Sequence, residues 1–183
     1  MLEITPDVIR AAVAAYYRYV RQCIIAFEAP VHPQFDERSD ILVICERRLI
    51  EIEVKVSLSD FRKDADKLKH RYMKEERYSF YPVSFFYFAV PENIANDITY
   101  NCEQLYPYAG VIRVKGITQD DVSFSRRGRV MCTEKMSLRD IAEIVRQQSG
   151  TIARLARDVA LLKQKRLIEV PDIIQVNPFE SEG

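Results

Sequence analysis

The segment Ile50–Val56 alternates strictly between aliphatic and charged residues, and no other feature of the sequence constrains the fold as strongly. Successive side chains of a strand point to opposite faces, so Glu51, Glu53 and Lys55 are predicted to share one face. The aliphatic face must be covered, most simply by a helix. The charged face is predicted to line a cleft.

A second strand is predicted just before this one, over Asp40–Cys45. The run after its first residue is apolar on both faces, as in a strand buried within a sheet. The link Glu46–Leu49 is short, so the two strands are predicted to form an antiparallel hairpin. A turn centred on residues 47–48 pairs position 42 with position 53 and position 40 with position 55.

In this register Asp40 shares a face with Glu53 and Lys55. Carboxylates at diagonal positions, about 7–8 Å apart at the backbone, can bind one metal ion. Mg²⁺ and Mn²⁺ take oxygen ligands, so Asp40, Glu53 and the carbonyl of Val54 are the predicted metal ligands. A lysine beside the ion can orient water or stabilise charge on a phosphate. The residues therefore favour phosphodiester hydrolysis, with Asp40, Glu53 and Lys55 as catalytic residues.

The spacing of these residues resembles that of the PD-(D/E)xK, or restriction-endonuclease-like, nuclease superfamily. There an acidic residue on one strand precedes Glu/Asp-x-Lys on the next, which matches Asp40, Glu53 and Lys55. Ser39 stands where the superfamily name has proline. The resemblance implies an α/β fold with a mixed central sheet flanked by helices, and metal-dependent cleavage of DNA.

A longer stretch resembles the MmcB-like DNA-repair branch of this superfamily. In that branch Glu-x-Lys runs into Ser and then Asp-Phe at a helix start, as Ile52–Phe61 does here. Phe88–Glu92 and Ala109–Val114 lie where the branch has strands, so the resemblance covers roughly residues 5–130. It implies an enzyme of DNA repair or recombination. The alternatives are an inactive module of the same fold that binds nucleic acid or a repair partner, and a structural protein that dimerises through its C-terminal helices.

Composition limits the class of protein. No apolar run reaches the length of about 18 residues that a membrane span requires, and the first residues do not resemble a secretory signal. The 4 cysteines lie far apart, as expected of buried thiols in a reducing compartment, and we expect a cytoplasmic protein. Basic and acidic residues are equal in number, 27 of each, so any DNA contact must be local.

The 183 residues are predicted to divide into three parts. Residues 1–135 form the α/β core, residues 136–169 a C-terminal helical appendage, and residues 170–183 a flexible polar tail. Within the core, Thr5–Asp7 has the composition of a helix start: a capping hydroxyl, a proline in the first turn and an acid.

Two groups of basic residues are candidates for DNA contacts. A helix predicted over Ser59–Arg77 carries Lys63 and Lys67 beside the metal site, where they can bind phosphates. Arg126 and Arg127 belong to the densest basic cluster, which is predicted to be a hairpin tip. For both groups, a solvated face without a ligand is the alternative.

The C-terminal appendage is predicted to contain two helices, Leu138–Gln148 and Ile152–Arg166, interrupted at Gly150. The second helix carries four apolar residues at a spacing of three, four and three, as in a coiled coil. They are Ile152, Leu155, Val159 and Leu162. These residues pack either on the core of the same chain or on a second chain, which would make a homodimer.

Overall fold

The fold is built on one six-stranded mixed sheet. The computed structural model describes residues 3–31, 38–77 and 81–169, with side chains up to residue 162. The strands are β1 (Ile24–Pro30), β2 (Arg38–Cys45), β3 (Arg48–Val54), β4 (Phe85–Pro91), β5 (Gly110–Val114) and β6 (Val122–Arg126). They lie in chain order, with β3, β4 and β5 parallel and the remaining neighbouring pairs antiparallel. The predicted α/β class with a mixed sheet is confirmed.

The helices are α1 (Pro6–Ala15), which a π-helical segment extends to Val20, α2 (Leu58–Lys63), α3 (Leu68–Lys74), α4 (Glu92–Leu105) and α5 (Leu138–Glu169). The first four cover the two faces of the sheet, with α1 on one face. Ile9 and Val13 of α1 pack in one buried cluster with Ile52 of β3, so a helix covers the aliphatic face as predicted. The predicted start of α1 is also confirmed, since the Thr5 hydroxyl accepts a hydrogen bond from the Val8 amide.

The opposite face of the sheet is covered by α2, α3 and α4. Phe61 of α2, Met73 of α3 and Ile98 of α4 belong to a second buried cluster. Phe86 and Phe88 of β4 belong to the same cluster, and all five side chains are at most 2% exposed. Burying such a side chain contributes about 1.5–3 kcal/mol. The two clusters therefore hold the sheet between two helical layers.

The β2–β3 hairpin has a different register from the predicted one. Its turn consists of Glu46 and Arg47, whose φ angles are 52° and 66°. Leu42 lies opposite Glu51, so the predicted pairing of position 42 with position 53 is wrong by two positions. Turns with positive φ at both central residues usually contain Asn or Gly, and neither is present here. A shift of two positions leaves Glu51 and Glu53 on their predicted face. Asp40 contacts Arg10 of α1 instead, and it is the neighbouring Ser39 that contacts Glu51.

The predicted helix Ser59–Arg77 is wrong as one continuous element. α2 ends at Lys63, a 3₁₀ turn spans Asp64–Asp66, and α3 begins at Leu68. Between them, Lys67 has an extended backbone with φ −68° and ψ 140°. Asp60 of α2 lies near Lys55, and Lys69 of α3 contacts Glu51, so residues on both sides of the break reach the charged residues of this segment.

The chain divides into two compact units, residues 1–145 and 146–183. α5 runs without interruption from Leu138 to Glu169, so the predicted break at Gly150 is wrong. A glycine costs a helix only about 1 kcal/mol relative to alanine, and 32 residues form this helix. The predicted tail, residues 170–183, lies outside the described residues. No helix in the described ranges combines the length and the apolar character needed to cross a membrane.

Gly110 and Gly150 offer a matched pair of substitutions. A Cβ atom at Gly110 would overlap the Tyr87 ring and lie 2.6 Å from the backbone nitrogen of Gly128, whereas one at Gly150 meets no atom within 4 Å. Gly110→Ala is expected to lower the free energy of unfolding by about 1–3 kcal/mol. Gly150→Ala is expected to leave it unchanged or raise it by up to about 1 kcal/mol. Urea unfolding measures both, and equal effects would contradict the close packing at Gly110.

Candidate functional site

Asp40 lies beside the end of β3, where the predicted Glu-x-Lys residues begin. Its Oδ2 atom accepts a hydrogen bond of 2.8 Å from the backbone amide of Val54, and its Oδ1 atom accepts one of 2.8 Å from Arg10 of α1. The backbone pairing of β2 with β3 extends to Ile41 and Ile52, and beyond this pair the Asp40 side chain binds the strand end. The hairpin thus brings the first predicted acid to the segment that carries the other two residues.

Glu51 and Glu53 are buried, so the prediction that the charged face lines a cleft is wrong. Their exposed fractions are 0% and 3%. The Nζ atom of Lys69 in α3 lies 2.9 Å from Glu51 Oε1 and 2.5 Å from Glu53 Oε1. The hydroxyls of Ser39 and Tyr81 also donate hydrogen bonds to Glu51. Both carboxylates are therefore paired within the fold, as buried charges must be.

Lys55 is also buried, with 5% of the residue exposed. Its Nζ atom lies 2.8 Å from Asp64 Oδ1 and 3.6 Å from Glu53 Oε2. The carboxylate of Asp60, which is half-exposed, is 3.9 Å away. Lys55 and Glu53 are thus neighbours, but the carboxylate closest to the lysine belongs to a residue outside the predicted site.

Asp64 connects the site to α3. Besides Lys55, its carboxylate contacts Nζ of Lys67 at 2.6 Å and Nε2 of His70 at 2.7 Å. Burial acts to raise the pKa of Asp64, but hydrogen bonds from His70 and the two lysines hold it well below its usual range. Burial lowers the pKa of His70. The neutral ring can donate to Asp64 and accept from the Tyr108 hydroxyl at 2.6 Å.

Six charged side chains form what we name the ion-pair cluster. Its members are Glu51, Glu53, Asp64, Lys55, Lys67 and Lys69. Burial raises the pKa of the Glu53 carboxyl, and the nearby Lys69 opposes this rise. Burial also acts to lower the pKa of Lys69, but Glu51 and Glu53 together raise it above its ordinary value. Three carboxylates therefore balance three ammonium groups, and every member except Lys67 is buried.

The sequence prediction omitted Asp64, Lys69 and His70 from the site. Charged residues on a helix are usually exposed, and partners 16 or 18 positions apart leave no local signal. The pair of Asp64 and Lys67, three positions apart, has the spacing of a helical ion pair and was the one available signal. Lys67 keeps 37% of its side chain exposed, and Lys63 is exposed.

The basic cluster predicted as a hairpin tip, with DNA contact as the other possibility, begins at the last residue of β6, and no second strand follows it to close a hairpin among residues 127–137. Arg126 donates hydrogen bonds to backbone carbonyls of the loop formed by residues 106–109. Farther along, the amide of Arg129 donates to the carbonyl of Tyr108. Arg126 therefore anchors a loop, while the neighbouring Arg127 is exposed.

No protein-family model matches the chain, and no curated protein matches it. Among the described side chains, no group of three or more His, Cys, Asp and Glu residues is arranged as a metal site. Asp40 and Glu53 are two side-chain carboxylates, with the carbonyl of Val54 as a third oxygen donor, and their role as metal ligands stays a prediction. A function for these residues is therefore argued from the sequence pattern and from the contacts between their side chains.

Proposed function

We propose that the protein hydrolyses phosphodiester bonds in DNA with a bound Mg²⁺ or Mn²⁺ ion, on a sheet of the restriction-endonuclease-like type. One observation carries the proposal: the hydrogen bond of 2.8 Å from Val54 to Asp40 joins the acid of β2 to the Glu-x-Lys segment. Glu53 Oε2 and Lys55 Nζ, 3.6 Å apart, complete the motif at the same end of the sheet. The sequence resemblance favours a role in DNA repair or recombination.

The donor atoms suit a hard divalent cation. Asp40, Glu53 and the carbonyl of Val54 would hold it, and all are oxygen ligands of the kind that Mg²⁺ prefers. The side chain of Asp40 is 21% exposed. Glu53 Oε2 lies 3.5 Å from Lys67 Nζ and 3.6 Å from Lys55 Nζ, so its lysine contacts are longer than that of Oε1 with Lys69. When bound, the ion would supply charge neutralisation at the phosphate and a water of lowered pKa.

Lys55 is the residue proposed to act on the reacting groups. Its ammonium group would stabilise negative charge that develops on the phosphate, or orient the attacking water. Asp64, 2.8 Å away, fixes the position of that ammonium group. The exposed Lys63 and Arg127 and the partly exposed Lys67 are proposed to bind the DNA backbone.

A second candidate function is a catalytically inactive module that binds DNA. It is favoured by the ion pairs of the two acids, since Asp40 lies 2.8 Å from Arg10 and Glu53 lies 2.5 Å from Lys69. Acids paired in this way can serve the fold alone. The two candidates predict different results when DNA and metal ions are supplied.

Glu53→Gln and Glu51→Gln form the matched pair of variants that tests the proposal. Both carboxylates are buried and pair with Lys69, but only Glu53 is a proposed metal ligand. Single-stranded, duplex and branched DNA are incubated with the protein in Mg²⁺, Mn²⁺ or EDTA. We expect metal-dependent cleavage that falls at least about a hundredfold in Glu53→Gln, because the ion contributes several kcal/mol to such a transition state. Glu51→Gln is expected to keep most of the activity.

Calorimetric titration with Mn²⁺ gives a second readout that does not depend on cleavage. Binding is expected in the wild type and in Glu51→Gln, and its loss is expected in Asp40→Asn and Glu53→Gln. Circular dichroism checks that each variant is folded. DNA binding without cleavage or Mn²⁺ binding would instead identify the inactive module. If Mn²⁺ binding and cleavage fall equally in folded Glu51→Gln and Glu53→Gln, the support for Glu53 as a metal ligand is removed.

A further inference from the structure

The part of α5 beyond Gly150 carries a row of exposed apolar side chains. Its members, which we name the α5 seam, are Ile152, Leu155, Val159 and Leu162. They are between 49% and 65% exposed. Their spacing of three, four and three places them along one side of the helix. An apolar row of this length on a helix is a surface for another helix.

The residue types along the α5 seam indicate which kind of helix it can bind. In the heptad notation for coiled coils, Ile152 and Val159 occupy position a, while Leu155 and Leu162 occupy position d. In a parallel coiled coil, β-branched residues at a with leucine at d favour two helices over higher assemblies. A seam that recurs on an identical chain is complementary to itself about a two-fold axis. We therefore propose that the α5 seam binds the α5 seam of a second copy of this chain as a parallel two-helix coiled coil.

The residues that flank the α5 seam agree with this partner. Asp158 occupies position g, and in the sequence Lys163 follows at the next position e. Positions g and e of the following heptad meet across a parallel two-stranded coiled coil, where opposite charges favour pairing. Thr151 and Ala156, at the other flanking positions, are small and uncharged. The seam is short, so the association is expected to be reversible and to depend on concentration.

Sedimentation equilibrium of the full chain tests the proposal with a matched pair of variants. The wild type is expected to form dimers as its concentration rises. Leu155→Glu is expected to raise the dissociation constant at least about a hundredfold, because each dimer loses two buried leucines. Leu161→Glu is the control, since Leu161 is 50% exposed but lies at position c, outside the α5 seam. A monomer at all concentrations, or an equal effect of the two variants, would overturn the proposal.

Oxidative cross-linking tests the parallel orientation. Val159→Cys places a thiol at position a, so two such thiols face each other in a parallel pair and are expected to form an intermolecular disulfide. Leu161→Cys, at position c, and the wild type with its native cysteines are the controls. A dimer in which Val159→Cys does not cross-link, or cross-links no more than Leu161→Cys, contradicts the parallel arrangement. Because neither test uses DNA or metal ions, its outcome is independent of the proposed nuclease function.

Discussion

Lys69→Met is expected to lower the free energy of unfolding at neutral pH by about 3–5 kcal/mol, which is the usual cost of removing one partner of a buried ion pair. Methionine keeps most of the length and apolar surface of the lysine side chain, so the packing changes little. Glu51 and Glu53 lose an ammonium group that lies 2.9 Å and 2.5 Å from their oxygens. Glu51, which is 0% exposed, then keeps the hydroxyls of Ser39 and Tyr81 as partners but faces no ammonium group from Lys69.

Urea unfolding, followed by circular dichroism, measures the loss in Lys69→Met. Lys63→Met is the control, because Lys63 is exposed and a surface substitution of this kind changes stability by only about 0.5 kcal/mol. The loss is expected to shrink as the pH falls, because burial raises the pKa of Glu53 and its protonation removes one of the buried negative charges. Adding Glu51→Gln to Lys69→Met is expected to restore part of the stability. A loss below about 1 kcal/mol would show that these charges are not buried as described.

Asp64→Asn is also expected to lower the free energy of unfolding at neutral pH by about 3–5 kcal/mol. Asparagine has the shape of aspartate but carries no charge, so the ammonium groups of Lys55 and Lys67 lose their closest anion, at 2.8 Å and 2.6 Å. His70 also loses the carboxylate that accepts its Nε2 hydrogen bond. Asp66→Asn is the control, since Asp66 lies in the same 3₁₀ turn and is exposed.

The pH dependence of the Asp64→Asn effect follows from the direction of the pKa shift. The pKa of Asp64 in the folded protein is depressed, chiefly because hydrogen bonds from His70 and two lysines outweigh burial. Its carboxylate therefore stabilises the fold fully above the unfolded pKa of about 3.9, and this stabilisation is lost as the pH falls toward the folded value. The difference in the free energy of unfolding between wild type and Asp64→Asn is expected to become smaller below about pH 4. A difference that is constant from neutral to acid pH would sink this account.

β2 and β3 were predictable because each has a strong local pattern. The alternation over Ile50–Val56 placed Glu51, Glu53 and Lys55 on one face, and the structure has them in one ion-pair cluster. The register was harder to predict, because the turn at residues 46–47 contains none of the residues that usually mark it. The prediction that these three side chains share a face holds despite the error in register, because side chains alternate with a period of two.

The surroundings of the candidate site could not be predicted from local pattern. Sequence composition suggests that a face with two glutamates and a lysine meets water, and the structure covers that face with α2 and α3. What buries it is the pairing of Glu51 and Glu53 with Lys69, a contact between distant segments of the chain. The break at Asp64–Asp66 contains neither glycine nor proline, so no helix-breaking residue marks it in the sequence.

The balance of three acids and three lysines limits how a gene for such a protein can diverge. A lineage that loses Lys69 alone leaves the buried carboxylates of Glu51 and Glu53 without that ammonium partner. A lineage that loses Glu51 alone leaves the ammonium group of Lys69 with one carboxylate partner fewer. Selection would then favour compensating changes, and positions 51, 53 and 69 should covary across an alignment of relatives. Their replacement is expected to come as a set, with aliphatic residues taking over the whole interior layer.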